Sequence, residues 1–210
     1  MRPFYLIRHG ETDWNRKLRR LQGHSDIPLN EVGIEQAKGL APFISNFNIS
    51  RLVSSDLSRA FETACLISLG KLPIEKTPEL REIKLGDAEG KTPEEVDQIY
   101  GADLRKNWSS FERQYEDLRF PQGESRKEVV QRAQNCLHHF LDLYPQDTLA
   151  FVAHGFLIRS LVFEKGTVQH DFSIPNCSVV PFVRNHDRVL LYHGPEDPKN
   201  LIQPPAAGRF

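Results

Sequence analysis

The chain has 210 residues, 39% hydrophobic and 26% charged, the balance of one compact globular domain and not of a disordered segment. Its 27 lysines and arginines meet 28 acidic residues, so no net field favours nucleic acid or a membrane surface, and an anion site must be a local gathering of arginine. No apolar run reaches the ~20 residues that cross a bilayer, the N-terminus lacks the apolar stretch of a signal peptide, and Cys65, Cys136 and Cys177 lack metal-like spacing and read as reduced, buried thiols, which together predict a cytoplasmic protein.

Phe4 to Ile7 reads as a buried strand. A helix begins at about Glu31, with Asn30 as its N-cap and Ala37, Leu40, Ala41 and Ile44 on one face, kinked or shortened near Pro42. Arg51-Leu52-Val53 reads as a short strand, then a helix with Leu57, Ala60, Ala64 and Ile67 inward. Two later helix starts carry capping boxes: Thr92 with Glu95, where Pro93 takes the first helical position, and Ser125 with Glu128. The second opens a long amphipathic helix through Val129, Ala133, Cys136, Phe140 and Tyr144. Leu149 to Ala153 is another buried strand, with a helix after it from about Phe156. Ser178–Val183 and Val189–Tyr192 are late strands, the first placed near an edge because of Pro181. Strand and helix in alternation predict an α/β domain with a mostly parallel sheet and helices on both faces. The domain runs over 1–194, with a helical, lid-like insertion at about 92–123 whose part from Tyr100 to Gly123 covers the sheet edge. The remainder, 195–210, is an extended or disordered tail.

Ligands in open α/β sheets bind beyond the carboxyl ends of the strands. The residues just past each buried run are therefore the inventory of a site: Arg8-His9-Gly10, then Ser54-Ser55 with Arg59, then Arg81-Glu82, then His154-Gly155. Two histidines, several arginines and a carboxylate suit phosphoryl transfer, which needs cations for the equatorial oxygens, an in-line nucleophile and a proton for the leaving oxygen. Arg8 and Arg59 offer planar forks matched to phosphate, a neutral imidazole can attack phosphorus, and Gly10 and Gly155 allow close backbone approach to a ligand. Each of these residues alone is unremarkable; their conjunction carries the reading. A rival is a metal site of His9, His154 and Glu82, which Arg8 and Arg59 beside it disfavour electrostatically.

The same residues resemble a known family. Arg8-His9-Gly10-Glu11-Thr12 with Asn15, Gln22-Gly23, Asp26-Ile27-Pro28-Leu29, Ser54-Ser55-Asp56-Leu57-Ser58-Arg59-Ala60, Leu80-Arg81-Glu82, Glu89-Gly90, Gly123-Glu124-Ser125, Ala153-His154-Gly155 and Asn176-Cys177-Ser178 occur in the order of the histidine phosphatase superfamily, phosphoglycerate mutase-like branch. The resemblance covers residues 4 to 192. It implies a phosphoglycerate mutase-like fold with a small helical insertion over the active site and His9 as a nucleophile that forms phosphohistidine. Arg8, Arg59 and His154 would cradle the phosphoryl oxygens, Asn15, Gln22, Gly23 and Gly155 would bind substrate, and Glu82 would be the proton donor. It implies no metal and no other cofactor. The expected partner is a small phosphorylated metabolite, neither nucleic acid nor membrane, and a homodimer stays open. Phe156, where a small residue often follows the second His-Gly, and Ala88, where an aromatic often precedes Glu-Gly, depart from the pattern and bear on substrate. Cofactor-dependent phosphoglycerate mutases carry a longer insertion between the Glu and second His motifs than the stretch from Glu82 to His154, so the resemblance favours a phosphatase, which by the same resemblance needs no metal. A cofactor-dependent phosphoglycerate mutase is the alternative, as is a non-catalytic phospho-ligand or protein-binding module on the same fold. The run Arg16-Lys17-Leu18-Arg19-Arg20 reads as solvated surface or as a second anion site. His24, His138, His139, His170, His186 and His193 have no partner pattern.

Overall fold

A strand buried on both faces must be apolar throughout, and β4 (Leu149–Ala153) is buried at every position, as the centre of a parallel sheet requires. In the computed structural model, which describes residues 1–163, 173–195 and 200–204, β4 runs parallel to β1 (Arg2–Arg8) on one side and to β2 (Arg51–Ser55) on the other. β3 (Ile74–Thr77) extends the sheet parallel to β2, while β5 (Val179–Arg184) and β6 (Leu190–Tyr192) add antiparallel strands beyond β1, giving the order β3-β2-β4-β1-β5-β6.

Side chains alternate across the pleat, and this splits the interior in two. Phe4 and Leu6 of β1 join Leu149 and Phe151 of β4 on one face; Ile7 joins Leu52, Ala150 and Val152 on the other. The first face is covered by α6 (Arg126–Leu143) and α7 (Gly155–Phe163), with α4 (Pro93–Tyr100) and α5 (Ala102–Ser109) adding Val96 and Trp108 to the same core. The second is covered by α2 (Glu31–Ile44) and α3 (Ser58–Ser68) through Ala37, Leu40, Ile44, Ala60, Ala64 and Ile67. A one-turn helix, α1 (Asp13–Arg16), comes after β1. No helix of the described residues is long and apolar enough to cross a membrane.

Both predicted capping boxes form: Thr92 and Ser125 accept from the third-residue N–H of α4 and α6, and Glu95 and Glu128 answer. Asn30 caps α2 by accepting from Gly33 N–H at 2.8 Å. Pro42 does not end α2, which reaches Ile44 before passing into a 3-10 turn over Ser45–Phe47. Pro181 lies near an edge as expected, β5 standing between β1 and the edge strand β6. Its carbonyl accepts from His193 N–H, so its nitrogen faces the open end of β6 just past Tyr192, where only the reciprocal bond to His193 is missing. Cys136 and Cys177 are buried free thiols, but Cys65 is exposed: it lies on α3 turned away from the Ala60–Ala64–Ile67 stripe.

Part of the tail docks. Ile202 pairs with Val179, and Leu201 is buried in the core. Of the tail expectation, 196–199 and 205–210 lie outside the described residues, as does His170.

Candidate active site

Parallel pairing of β1 with β4 sets Arg8 level with Ala153. The two chains therefore leave the sheet together, as Arg8-His9-Gly10 and His154-Gly155, and His9 N–H donates to Ala153 O at 3.0 Å. The imidazole rings of His9 and His154 sit 5.1 Å apart between centroids. On the other side of β4, strand β2 ends at Ser55, and Arg59 lies in the first turn of α3.

His9 Nδ1 lies 2.6 Å from the Gly10 carbonyl. A carbonyl can only accept, so Nδ1 carries the proton and Nε2 the lone pair. Burial, then the positive charges of Arg59 and Arg8, hold the His9 pKa well below its ordinary value, and only the Gly10 carbonyl opposes them. His9 is thus a neutral imidazole near pH 7 whose basic nitrogen has no partner among the described residues.

Arg59 is fully buried and held at all three nitrogens. Nη1 and Nη2 donate to the carbonyls of Ser25 (2.8 Å) and Gly23 (2.9 Å), and Nε donates to His154 Nδ1 at 3.2 Å. Burial lowers its pKa to about 10, against the pull of Glu82, so it stays cationic at neutral pH. Burial also lowers the Arg8 pKa, opposed by Glu82. Arg8 reaches Ile174 O through Nη1, while its buried Nε has no partner among the described residues.

Since His154 Nδ1 accepts from Arg59, the ring proton sits on Nε2 and is donated to Ser55 Oγ at 2.9 Å. Both ring nitrogens are therefore engaged, and His154 orients Arg59 from behind, which differs from the expected contact with a phosphoryl group. Burial and Arg59 keep its pKa well below the ordinary value.

Glu82 lies just past the 3-10 turn Pro78–Leu80. Its carboxyl oxygens accept from Phe156 N–H and Leu157 N–H, both at 2.9 Å, and from Ile83 N–H at 3.0 Å. The first-turn donors of α7, which no intrahelical carbonyl satisfies, thus fix this carboxyl group. Its own carbonyl lies 2.9 Å from both His24 Nε2 and Arg132 Nη2, and Arg132 is paired in turn with Glu124.

Arg8, His9, Gln22, Gly23, Arg59 and Glu82 line one cavity of ≈ 230 Å³, completed by Arg20, Leu21, Ile83, Leu85, Trp108 and Phe156. Seven of the nine residues expected from sequence thus meet here or directly behind it. The other two do not reach the wall. Asn15 Oδ1 accepts from Thr12 N–H in a capping box, and its Nδ2 is 3.5 Å from Asn176 Oδ1. Gly155 makes room for Arg8, not for a ligand: a Cβ there would lie 3.0 Å from Arg8 Nε. Gly10 likewise faces the protein, because a Cβ on it would lie 2.5 Å from Gly33 O. Among the described residues no group of three His, Cys, Asp or Glu side chains is placed to hold a metal ion. Of the basic run, Arg16 pairs with Glu11, Lys17 with Asp13 and Arg20 with Glu95, and Arg20 alone lines the cavity.

Glu89 pins the loop that serves Arg59, accepting from His24 N–H, Ser25 N–H and Ser25 Oγ, each at 2.9 Å. Gly23, at φ +51°, passes so close to it that a Cβ would fall 2.4 Å from Glu89 Oε1, which explains the glycine at that turn.

The model of the histidine phosphatase superfamily (branch 1) matches residues 4–193. The phosphoglycerate mutase-like protein 4 of Arabidopsis thaliana is 38% identical over 160 residues, 74% of this chain and 67% of that one. Among solved structures, a mycobacterial glucosyl-3-phosphoglycerate phosphatase complexed with VO3 superposes with a TM-score of 0.79 at 27% identity, covering 94% of this chain and 100% of that one. A phosphoserine phosphatase from Entamoeba histolytica, in complex with 3-phosphoglyceric acid, superposes with a TM-score of 0.73 at 30% identity, covering 90% and 95%.

Proposed function

The chain belongs to the histidine phosphatase superfamily, and from that membership we propose that it hydrolyses phosphomonoesters of small metabolites, without a metal, through a phosphohistidine on His9. The observation that carries the reading is the tautomer of His9: Nδ1–H tied to the Gly10 carbonyl, Nε2 left basic beside Arg8 and Arg59 in a cavity.

In the first step Nε2 attacks phosphorus in line while the P–O bond to the leaving group breaks. Arg8 and Arg59 neutralise the equatorial oxygens, and Glu82 gives its proton to the departing alkoxide. Water then attacks the phosphohistidine, Glu82 takes back a proton, and inorganic phosphate leaves with His9 restored. The relatives named for phosphoglycerate mutase make isomerisation the second reading. Against it stands Arg20, the one arginine of the cavity wall beyond the phosphate cradle, which is paired with Glu95 and so poorly free to hold a second phosphate.

Hydrolysis of p-nitrophenyl phosphate is expected to be unchanged by EDTA and inhibited by vanadate. Rapid quenching in alkali should trap acid-labile phosphate on the wild-type chain and none on His9→Ala. Turnover abolished by the chelator, or a fully active His9→Ala, would overturn the proposal. Incubation of 3-phosphoglycerate with 2,3-bisphosphoglycerate separates release of phosphate from formation of 2-phosphoglycerate.

A further inference from the structure

The cavity has two unlike halves. Arg8, His9 and Arg59 take the phosphoryl end, and the wall beyond them is mainly apolar, built of Leu21, Ile83, Leu85, Trp108 and Phe156 with Gln22 and Arg20 as its polar side chains. Trp108 stacks on Phe156 with centroids 4.6 Å apart and rings inclined by 12°, and Phe111 packs behind Phe156 at 5.1 Å. This aromatic wall comes from two separate elements, α5 and the start of α7. The Phe156 backbone N–H also donates to Glu82 Oε2, so the residue that carries this aromatic wall is tied directly to that carboxyl.

From these contacts we infer that the substrate is the phosphate ester of an uncharged alcohol whose body is apolar and about one ring in size, and that Trp108 and Phe156 set this specificity. The inference rests on the phosphatase reading and names the substrate class of that site. An apolar body gains by leaving water for such a wall. A carboxylate or second phosphate on the leaving group would lose its hydration against the same side chains. The nearest remaining cation of the wall, Arg20, is already bound to Gly90 O and Glu95. The cavity volume of ≈ 230 Å³, below the ~300 Å³ at which drug-sized sites begin, suits a small apolar part.

The test compares three esters with alkoxide leaving groups: benzyl phosphate, glycerol 3-phosphate and 3-phosphoglycerate. Wild-type kcat/KM for benzyl phosphate should exceed both others by about tenfold or more, the scale of discrimination an apolar pocket provides, with the difference mainly in KM. Phe156→Ser, and independently Trp108→Leu in case one variant folds poorly, should raise KM for benzyl phosphate and bring the benzyl-to-glycerol ratio within about threefold of unity. A preference for 3-phosphoglycerate, or a ratio unmoved in both folded variants, would overturn the inference while leaving the phosphatase reading intact. No hydrolysis of any of the three or of p-nitrophenyl phosphate would overturn that reading itself.

Discussion

The carboxyl group of Glu82 is placed by three backbone N–H donors and stands in the wall of the cavity that holds His9. Its expected task is to protonate the leaving oxygen, and that task depends on how badly the leaving group needs a proton. Glu82→Gln keeps an oxygen acceptor but removes the acid. For benzyl phosphate, kcat/KM should fall about 100-fold, within the ~10²–10⁴ that such catalysis contributes. For p-nitrophenyl phosphate, whose phenolate departs unaided, kcat/KM should fall less than about 10-fold, and a burst of nitrophenolate should precede slow turnover as phosphohistidine accumulates. Equal losses on both esters would remove Glu82 from the role. His9 and His154 differ at the same scale. One imidazole keeps a free lone pair, while the other spends both nitrogens on Arg59 and Ser55.

Helix α6 reaches that site without entering the cavity. Arg132 donates to the carbonyls of Glu79 and Glu82 while both Glu124 oxygens hold its guanidinium, so the helix fixes the backbone from which Glu82 projects. Arg132 is accordingly a positioning residue. Arg132→Ala should lower kcat/KM for benzyl phosphate about tenfold and spare p-nitrophenyl phosphate, reproducing the leaving-group selectivity of Glu82→Gln. In a double variant the two losses should not add, since residues acting as one unit are not additive. Arg132→Lys should restore only part of the rate, because an ammonium cannot reproduce the planar fork. Loss on both esters alike would mean a merely structural contact. The elements themselves were largely readable from sequence where the cause is local. The buried runs of β1 and β4, the caps at Thr92 and Ser125, and the His-Gly pairs at strand ends are written within a few residues. What was not readable depends on distant partners. Nothing beside Arg132 announces Glu82, nothing beside His24 announces the Glu82 carbonyl, and Ser55 meets His154 across 99 positions. Gly10 and Gly155 misled because the atoms they make room for belong to the protein itself.

The whole molecule carries two buried imidazoles that stay neutral, and this links its stability to pH. Burial, with Arg59, holds both His9 and His154 well below their ordinary pKa, whereas in the unfolded chain each titrates near ~6.5. Below that pH the unfolded chain takes up protons the folded one refuses, so stability falls with falling pH until the folded pKa values are reached. The slope contributed by each histidine approaches about 1.4 kcal/mol per pH unit once the unfolded imidazole is fully protonated. Burial lowers the pKa of His24 and His138 too, adding in the same direction. Between pH 6.5 and 5.5 the two buried imidazoles together should lower the thermal midpoint by roughly 4–8 °C, and His9→Ala should show a clearly shallower dependence. A midpoint flat across this range would show that these histidines are charged in the native state.

Gly10 and Gly33 bear on anyone who wishes to re-engineer this enzyme. A Cβ on Gly33 would fall 2.1 Å from the carbonyl of Glu11, just as one on Gly10 would strike Gly33, so the loop after β1 and the start of α2 interlock backbone to backbone. A mutagenesis library that randomises this loop to broaden activity should hold both positions constant. Any side chain there would pry α2 from the sheet and carry His9 out of register with Arg8 and Arg59.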